Sequence, residues 1–268
     1  MKTILKSIQL LLVLPLLAFS AKADELIKLN TRDGVQQPVL LWEQQNKNPE
    51  YLIIFFPSSN GNIETRVKDG QAGADKYYLI SNQRELLTSK GFAVAVIDTP
   101  SDRIGMGEAF RQSADHATDI KKVIAELKQR FPKSKLVLMG HSRGTVSVGY
   151  LSRTFEDQID ATVLLAARYQ NDPRPADAPP EAPGGTGLSE IDFSHFKKPV
   201  LLVHHLKDAC GSTPFADAEQ QSKYADLIKI EGNDQDISLG TCATGTNHWF
   251  VGQEELVGEK VIEWLASK

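Results

Sequence analysis

The sequence predicts an α/β protein built on a doubly wound, mostly parallel sheet, and two observations carry that prediction. Continuous apolar runs recur along the chain, and an unbroken apolar run describes a strand covered on both faces. Segments with helical spacing separate those runs, which is the rhythm of right-handed βαβ units.

In chain order, "LIKLNT" (26–31) and "QPVLLWEQ" (37–44) flank the turn signal Arg32-Asp33-Gly34 and read as an opening hairpin. "YLIIFFP" (51–57) is the first buried run, and it ends in Ser58-Ser59-Asn60-Gly61-Asn62. "FAVAVIDTP" (92–100), "KLVLMG" (135–140), "DATVLLAA" (160–167), "PVLLVHHL" (199–206) and "ADLIKIEG" (225–232) repeat its character. Helical patterns lie between them at 82–91, 116–131, 143–155, 215–224 and 254–267. Residues 168–190 are rich in Pro and Gly without periodicity and read as a long irregular loop. With no internal repeat and no second composition block, residues 24–268 are expected to form one domain.

The first 23 residues read differently. Lys2 and Lys6 give a basic start, an apolar stretch from Ile8 to Phe19 follows, and Ala21-Lys22-Ala23 places small residues where a signal peptidase reads. The stretch is shorter than the ~17–25 residues that span a bilayer. Cleavage after Ala23 is therefore expected, with a periplasmic or secreted product that keeps no stable membrane span.

The formal net charge of −4 argues against a polyanion-binding surface, and no basic run is interleaved with aromatics, so nucleic acid is not an expected partner. Two cysteines, Cys210 and Cys242, cannot make a four-ligand zinc site alone. In an exported chain an even pair reads as one disulfide, with two buried thiols as the alternative. No cofactor or metal is called for.

Gly140-His141-Ser142-Arg143-Gly144 falls between the run ending at Met139 and a helical segment, the context of a Gly-x-Ser-x-Gly nucleophile elbow. A serine hydroxyl needs a base, and the base needs an orienting acid. In this chain order the acid belongs after a later strand and the histidine after the last. Asp208 and His248 stand at those points; Asp172, after the preceding strand, is the alternative acid. Strand alternation separates His204 from His205, so core or supporting roles suit them better than catalysis or metal binding. His141 is read as filler beside the nucleophile, and His116 and His195 as surface residues. The two oxyanion donors are expected to be the backbone N–H groups of Arg143 and Ser59.

On these residues the chain resembles the α/β-hydrolase superfamily across its mature length. "FAVAVIDTPSDR", "GHSRGTVS", "VLLVHHLKDAC" and "NHWFVGQEE" resemble an exported, poorly characterised bacterial group within it. That resemblance implies a serine hydrolase whose cysteines, one after the acid and one before the histidine, are paired. Residues 168–190 stand where many members insert a large helical cap, so no large cap domain is expected. The expected activity is cleavage of a small-molecule ester through an acyl-enzyme. The alternatives are a small peptidase, a thioesterase, or a hydrolase-fold protein that only binds ligands.

Overall fold

A computed structural model describes residues 24–43, 48–170, 185–232 and 235–268. The expected signal peptide (1–23) and the alternative acid Asp172 lie outside the described residues.

Ten strands and six helices are described, with three short 3-10 turns. The strands are β1 (Glu25–Arg32), β2 (Val35–Trp42), β3 (Tyr51–Phe56), β4 (Thr65–Lys68), β5 (Gln71–Ala74), β6 (Phe92–Ile97), β7 (Lys135–His141), β8 (Ala161–Leu165), β9 (Val200–His205) and β10 (Asp226–Ile230). The helices are α1 (Arg84–Ser89), α2 (Glu108–Arg111), α3 (Ala114–Arg130), α4 (Gly144–Thr154), α5 (Phe215–Gln221) and α6 (Glu254–Ala266). Eight strands form one sheet in the order β1-β2-β6-β3-β7-β8-β9-β10. The β1–β2 and β2–β6 pairs are antiparallel and the others parallel, which is the expected doubly wound, mostly parallel sheet.

The apolar runs explain the layering. Successive residues of β3 face opposite ways, so Leu52, Ile54 and Phe56 enter one core and Tyr51, Ile53 and Phe55 the other. The first core takes Ile120, Val123, Ile124 and Leu127 of α3 and Val148 and Leu151 of α4. The second takes Leu87 of α1 and Val257, Val261, Trp264 and Leu265 of α6. Each of these large side chains contributes roughly 1.5–3 kcal/mol on burial, which is why the central strands are apolar over most of their length. The edge strand β10 is buried on fewer sides and mixes polar with apolar residues.

Two elements depart from expectation. β4 and β5 form a separate hairpin around Asp69-Gly70, both at positive φ, in a stretch with no apolar pattern to announce it. The predicted helix at 82–91 is a 3-10 turn over Leu79–Gln83 running into the shorter α1. Between β8 and β9 the described residues carry one 3-10 turn, Phe193–His195, and no inserted helical subdomain.

Candidate active site

The parallel strands point the same way, so the segments leaving β3, β7, β9 and β10 meet at one edge of the sheet. Strand β7 delivers Ser142, which adopts φ 52°, a left-handed conformation that costs a non-glycine residue energy. The bend is held by contacts that only glycines permit. A Cβ on Gly144 would lie 2.0 Å from the Phe56 carbonyl oxygen, and one on Gly140 would lie 2.7 Å from the Gly144 carbonyl oxygen. The Ser142 N–H donates to the Leu165 carbonyl (2.9 Å), tying the elbow to the neighbouring strand.

His248 lies in the 3-10 turn Asn247–Trp249, after β10 and before α6. Its Nε2 is 2.9 Å from Ser142 Oγ, and its Nδ1 is 2.9 Å from Asp208 Oδ2. A carboxylate only accepts, so Nδ1 carries the proton and Nε2 offers its lone pair to the serine hydroxyl. Both the imidazole and the carboxylate are buried. The structure thus brings Ser142, Asp208 and His248 into one hydrogen-bonded line.

Asp208 gathers more donors than the sequence announces. The Cys210 N–H donates to Oδ1 (2.8 Å) and Thr213 Oγ1 to Oδ2 (2.9 Å). His204 Nε2 donates to the Thr213 carbonyl (2.8 Å) and lies 3.3 Å from Oδ2. Burial works to raise the Asp208 carboxyl, but hydrogen bonds from His204 and His248 outweigh it and hold it well below the usual carboxylate range. It is therefore ionised at neutral pH and suited to orient the imidazole. His205 turns the other way and donates to the Gly232 carbonyl (2.8 Å). Among the described residues no cluster of His, Cys, Asp and Glu side chains could hold a metal ion, and no helix is long and apolar enough to cross a membrane.

The proposed oxyanion segments are adjacent. Arg143 stands at the N-terminus of α4, whose first glycine packs against the Phe56 and Pro57 carbonyls. Ser59 takes φ 52° in the turn closed by the Gly61 N–H on the Ser58 carbonyl (2.9 Å). The Asp98 carboxylate secures the far side of this segment, accepting from the Ile63 and Thr65 backbone N–H groups and from Thr65 Oγ1. Glu108, fully buried, pairs with Arg168 and lies 3.5 Å from Arg143 Nε.

Two histidines differ from the sequence reading. His116 is buried rather than on the surface, because the first turn of α3 faces inward against Phe56 and Phe110 with Nε2 3.0 Å from Ser147 Oγ. His141 is more than filler: its Nε2 donates to the His248 carbonyl (2.9 Å) and its ring packs edge-on against Trp249. His195 is exposed, as expected.

Burial pushes both His116 and His141 down from 6.5 to about 3, helped by Arg111 beside the first and His248 beside the second. The unfolded chain binds protons at these positions near pH 6.5, whereas the native protein does not until about pH 3. Stability is therefore expected to fall as pH drops from about 6.5 toward 3, with a slope approaching ~2.7 kcal/mol per pH unit for the two groups. Urea unfolding across pH 7 to 4.5 checks this; a constant midpoint over that range contradicts it.

Cys210 and Cys242 form a disulfide, bridging 32 residues of sequence. One half sits on the acid, through the Cys210 N–H, and the Cys242 carbonyl accepts from Trp249 Nε1 (3.0 Å) beside the base. Closing such a loop is worth roughly 3–4 kcal/mol in the chain-entropy picture. Cys210→Ser is expected to lower both the melting temperature and turnover, and a reductant to inactivate the wild type. Melting and turnover unchanged by Cys210→Ser would separate the bridge from the triad.

A family profile described as "Serine aminopeptidase, S33" matches residues 74–235. No curated protein sequence matches the chain. Among solved structures, Est1E from Butyrivibrio proteoclasticus is similar at 20% identity and a TM-score of 0.61, over 92% of this chain and 98% of that one. A second Est1E structure has ferulic acid bound, at 19% identity, TM-score 0.60, and 90% and 98% coverage. The esterase domain of a Rhodothermus marinus protein is similar at 16% identity and TM-score 0.56, over 90% of this chain and 98% of that one. At these identities the likeness is one of fold.

Proposed function

Because the chain belongs to the serine aminopeptidase, S33, family and is a serine hydrolase of the α/β-hydrolase superfamily, we propose that it cleaves small carboxylic esters through an acyl-enzyme, in the periplasm or outside the cell. The observation that carries this reading is the Ser142–His248–Asp208 line, with 2.9 Å at both links. Ser142 Oγ attacks the ester carbonyl while His248 Nε2 takes its proton. The oxyanion of the tetrahedral intermediate receives the Arg143 and Ser59 N–H groups. His248 returns the proton to the departing alcohol, leaving an acyl-serine. Water, deprotonated by the same nitrogen, then releases the acid. Asp208 keeps the imidazole in the tautomer this cycle requires.

The fold likeness to a domain named as an esterase supports esters over amides. The family's description favours a second reading, hydrolysis of amides at a peptide N-terminus, on the same triad. The basic start and small-residue site of the first 23 residues support export, and a disulfide suits an oxidising compartment.

The substrate we propose is an ester with a short acyl chain, in keeping with the large cap domain not expected from the sequence between β8 and β9. The specificity constant for p-nitrophenyl butyrate is therefore expected to exceed that for p-nitrophenyl laurate and that for aminoacyl p-nitroanilides. Preference for laurate would contradict the acyl-size reading, and preference for the anilides would favour the peptidase.

A further inference from the structure

Arg111 is 1% exposed, and its guanidinium spends its hydrogen bonds on neutral acceptors. Nε donates to the Met106 carbonyl (3.0 Å), Nη1 to Ser147 Oγ (2.9 Å) and Nη2 to the Pro57 carbonyl (3.1 Å). Among the described residues no carboxylate lies within ion-pair distance of it. The acid one turn earlier, Glu108, is committed to Arg168, to the Gly187 N–H (2.8 Å) and to the neighbourhood of Arg143. Burying a cation without a paired anion is costly, so the fold gains something specific from this placement.

Its acceptors reach the Ser59 turn from both sides, directly at Pro57 and through Met106 at Asn60. Pro57 precedes Ser59 by two positions, and its carbonyl is held directly. Asn60 follows Ser59, and its carbonyl accepts from the Met106 N–H (2.6 Å), while the Met106 carbonyl is itself held by Arg111. The third acceptor, Ser147, belongs to α4, which begins just after the nucleophile, and its Oγ also meets His116 Nε2. The guanidinium thus ties the helix that carries the Arg143 N–H to both flanks of the residue that carries the Ser59 N–H. Gly61 shows how close the packing is: a Cβ there would lie 2.7 Å from Arg111 Nη2 and 2.4 Å from Met106 Cε.

We propose that Arg111 is the positioning residue of the oxyanion hole, setting the separation of its two N–H donors. This rests on the reading of Arg143 and Ser59 as those donors. Two N–H donors held at a fixed separation do little for a neutral ester carbonyl and more for the anionic intermediate, so the arrangement favours the transition state over the bound substrate. Burial, and then the neighbouring Arg143, lower Arg111 to about 9 against the opposing pull of Glu108, which leaves it charged at neutral pH.

The test compares wild type with Arg111→Met, Arg111→Lys and Ser147→Ala, each normalised to sites titrated with a fluorophosphonate. For p-nitrophenyl butyrate, Arg111→Met is expected to lower kcat ~10²-fold, the scale of losing one oxyanion donor. KM is expected to stay within about 3-fold, as for an interaction made in the transition state. The affinity of phenylboronic acid, which becomes a tetrahedral anion on the serine, is expected to weaken by the same factor as kcat. The pH profile of kcat/KM keeps its shape, because the base is untouched. Arg111→Lys and Ser147→Ala are expected to give smaller losses with the same signature, and they decide the matter if Arg111→Met does not fold. Variants that melt earlier yet retain wild-type kcat per titrated site and wild-type boronate affinity would overturn the proposal. A wild type that neither cleaves the ester nor takes the fluorophosphonate would instead defeat the parent reading of the site.

Discussion

Ser142→Ala is expected to lower ester turnover by roughly 10⁶-fold, the scale seen when a triad nucleophile is removed, while leaving the fold intact. Everything around Ser142 is arranged to present one oxygen. The residue is held at φ 52°, the glycines on either side of the elbow leave no room for a Cβ, and Oγ meets His248 Nε2 at 2.9 Å. Alanine keeps the backbone arrangement, since the elbow's anchoring bond is the Ser142 N–H on the Leu165 carbonyl rather than a side-chain contact. The residual rate over water then comes from binding and the oxyanion donors alone. Circular dichroism and melting checked beside turnover separate the two effects. A purified Ser142→Ala protein with wild-type ester turnover would remove this serine from the chemistry.

The second large effect belongs to the acid. Asp208→Asn is expected to lower kcat by ~10⁴-fold, as an amide in that place stabilises the wrong imidazole tautomer. The carboxylate has His248 Nδ1, Thr213 Oγ1 and the Cys210 N–H as donors, with His204 close by, so an NH₂ group turned toward any of them meets another donor. Asp172→Asn is expected to leave turnover near wild type. If it proves the more damaging of the two, the acid lies one strand earlier in the sheet.

Much of this architecture is legible in the sequence because β3 and β6 are apolar at every position and β7 and β9 carry unbroken apolar runs of four residues, and such runs have few other uses in a globular chain. The positions of Ser142, Asp208 and His248 follow from strand order, since a parallel sheet brings its strand ends to one edge. The disulfide was legible for a chemical reason, an even cysteine count behind a first segment that reads as an export signal. What stayed hidden has no periodic signature. The β4–β5 hairpin fully buries none of its side chains, leaving the Asp69-Gly70 turn as the one local signal. Arg111, His116 and Ser147 come together from three helices, and a polar residue facing a polar neighbour across an interface looks, along the chain, like a solvated one. The donors on Asp208 were hidden for the same reason, although Thr213 lies only five positions on.

The central claim, that Ser142 is a nucleophile activated by His248 within a working oxyanion site, has a direct test. Purified protein is exposed to a fluorophosphonate, measured by intact-mass spectrometry, and digested to locate the adduct. The account predicts one phosphonyl group per chain, carried on the peptide containing Ser142, with labelling abolished in Ser142→Ala and greatly slowed in His248→Ala. A folded wild-type protein that remains unmodified, or an adduct on any other residue, would contradict it.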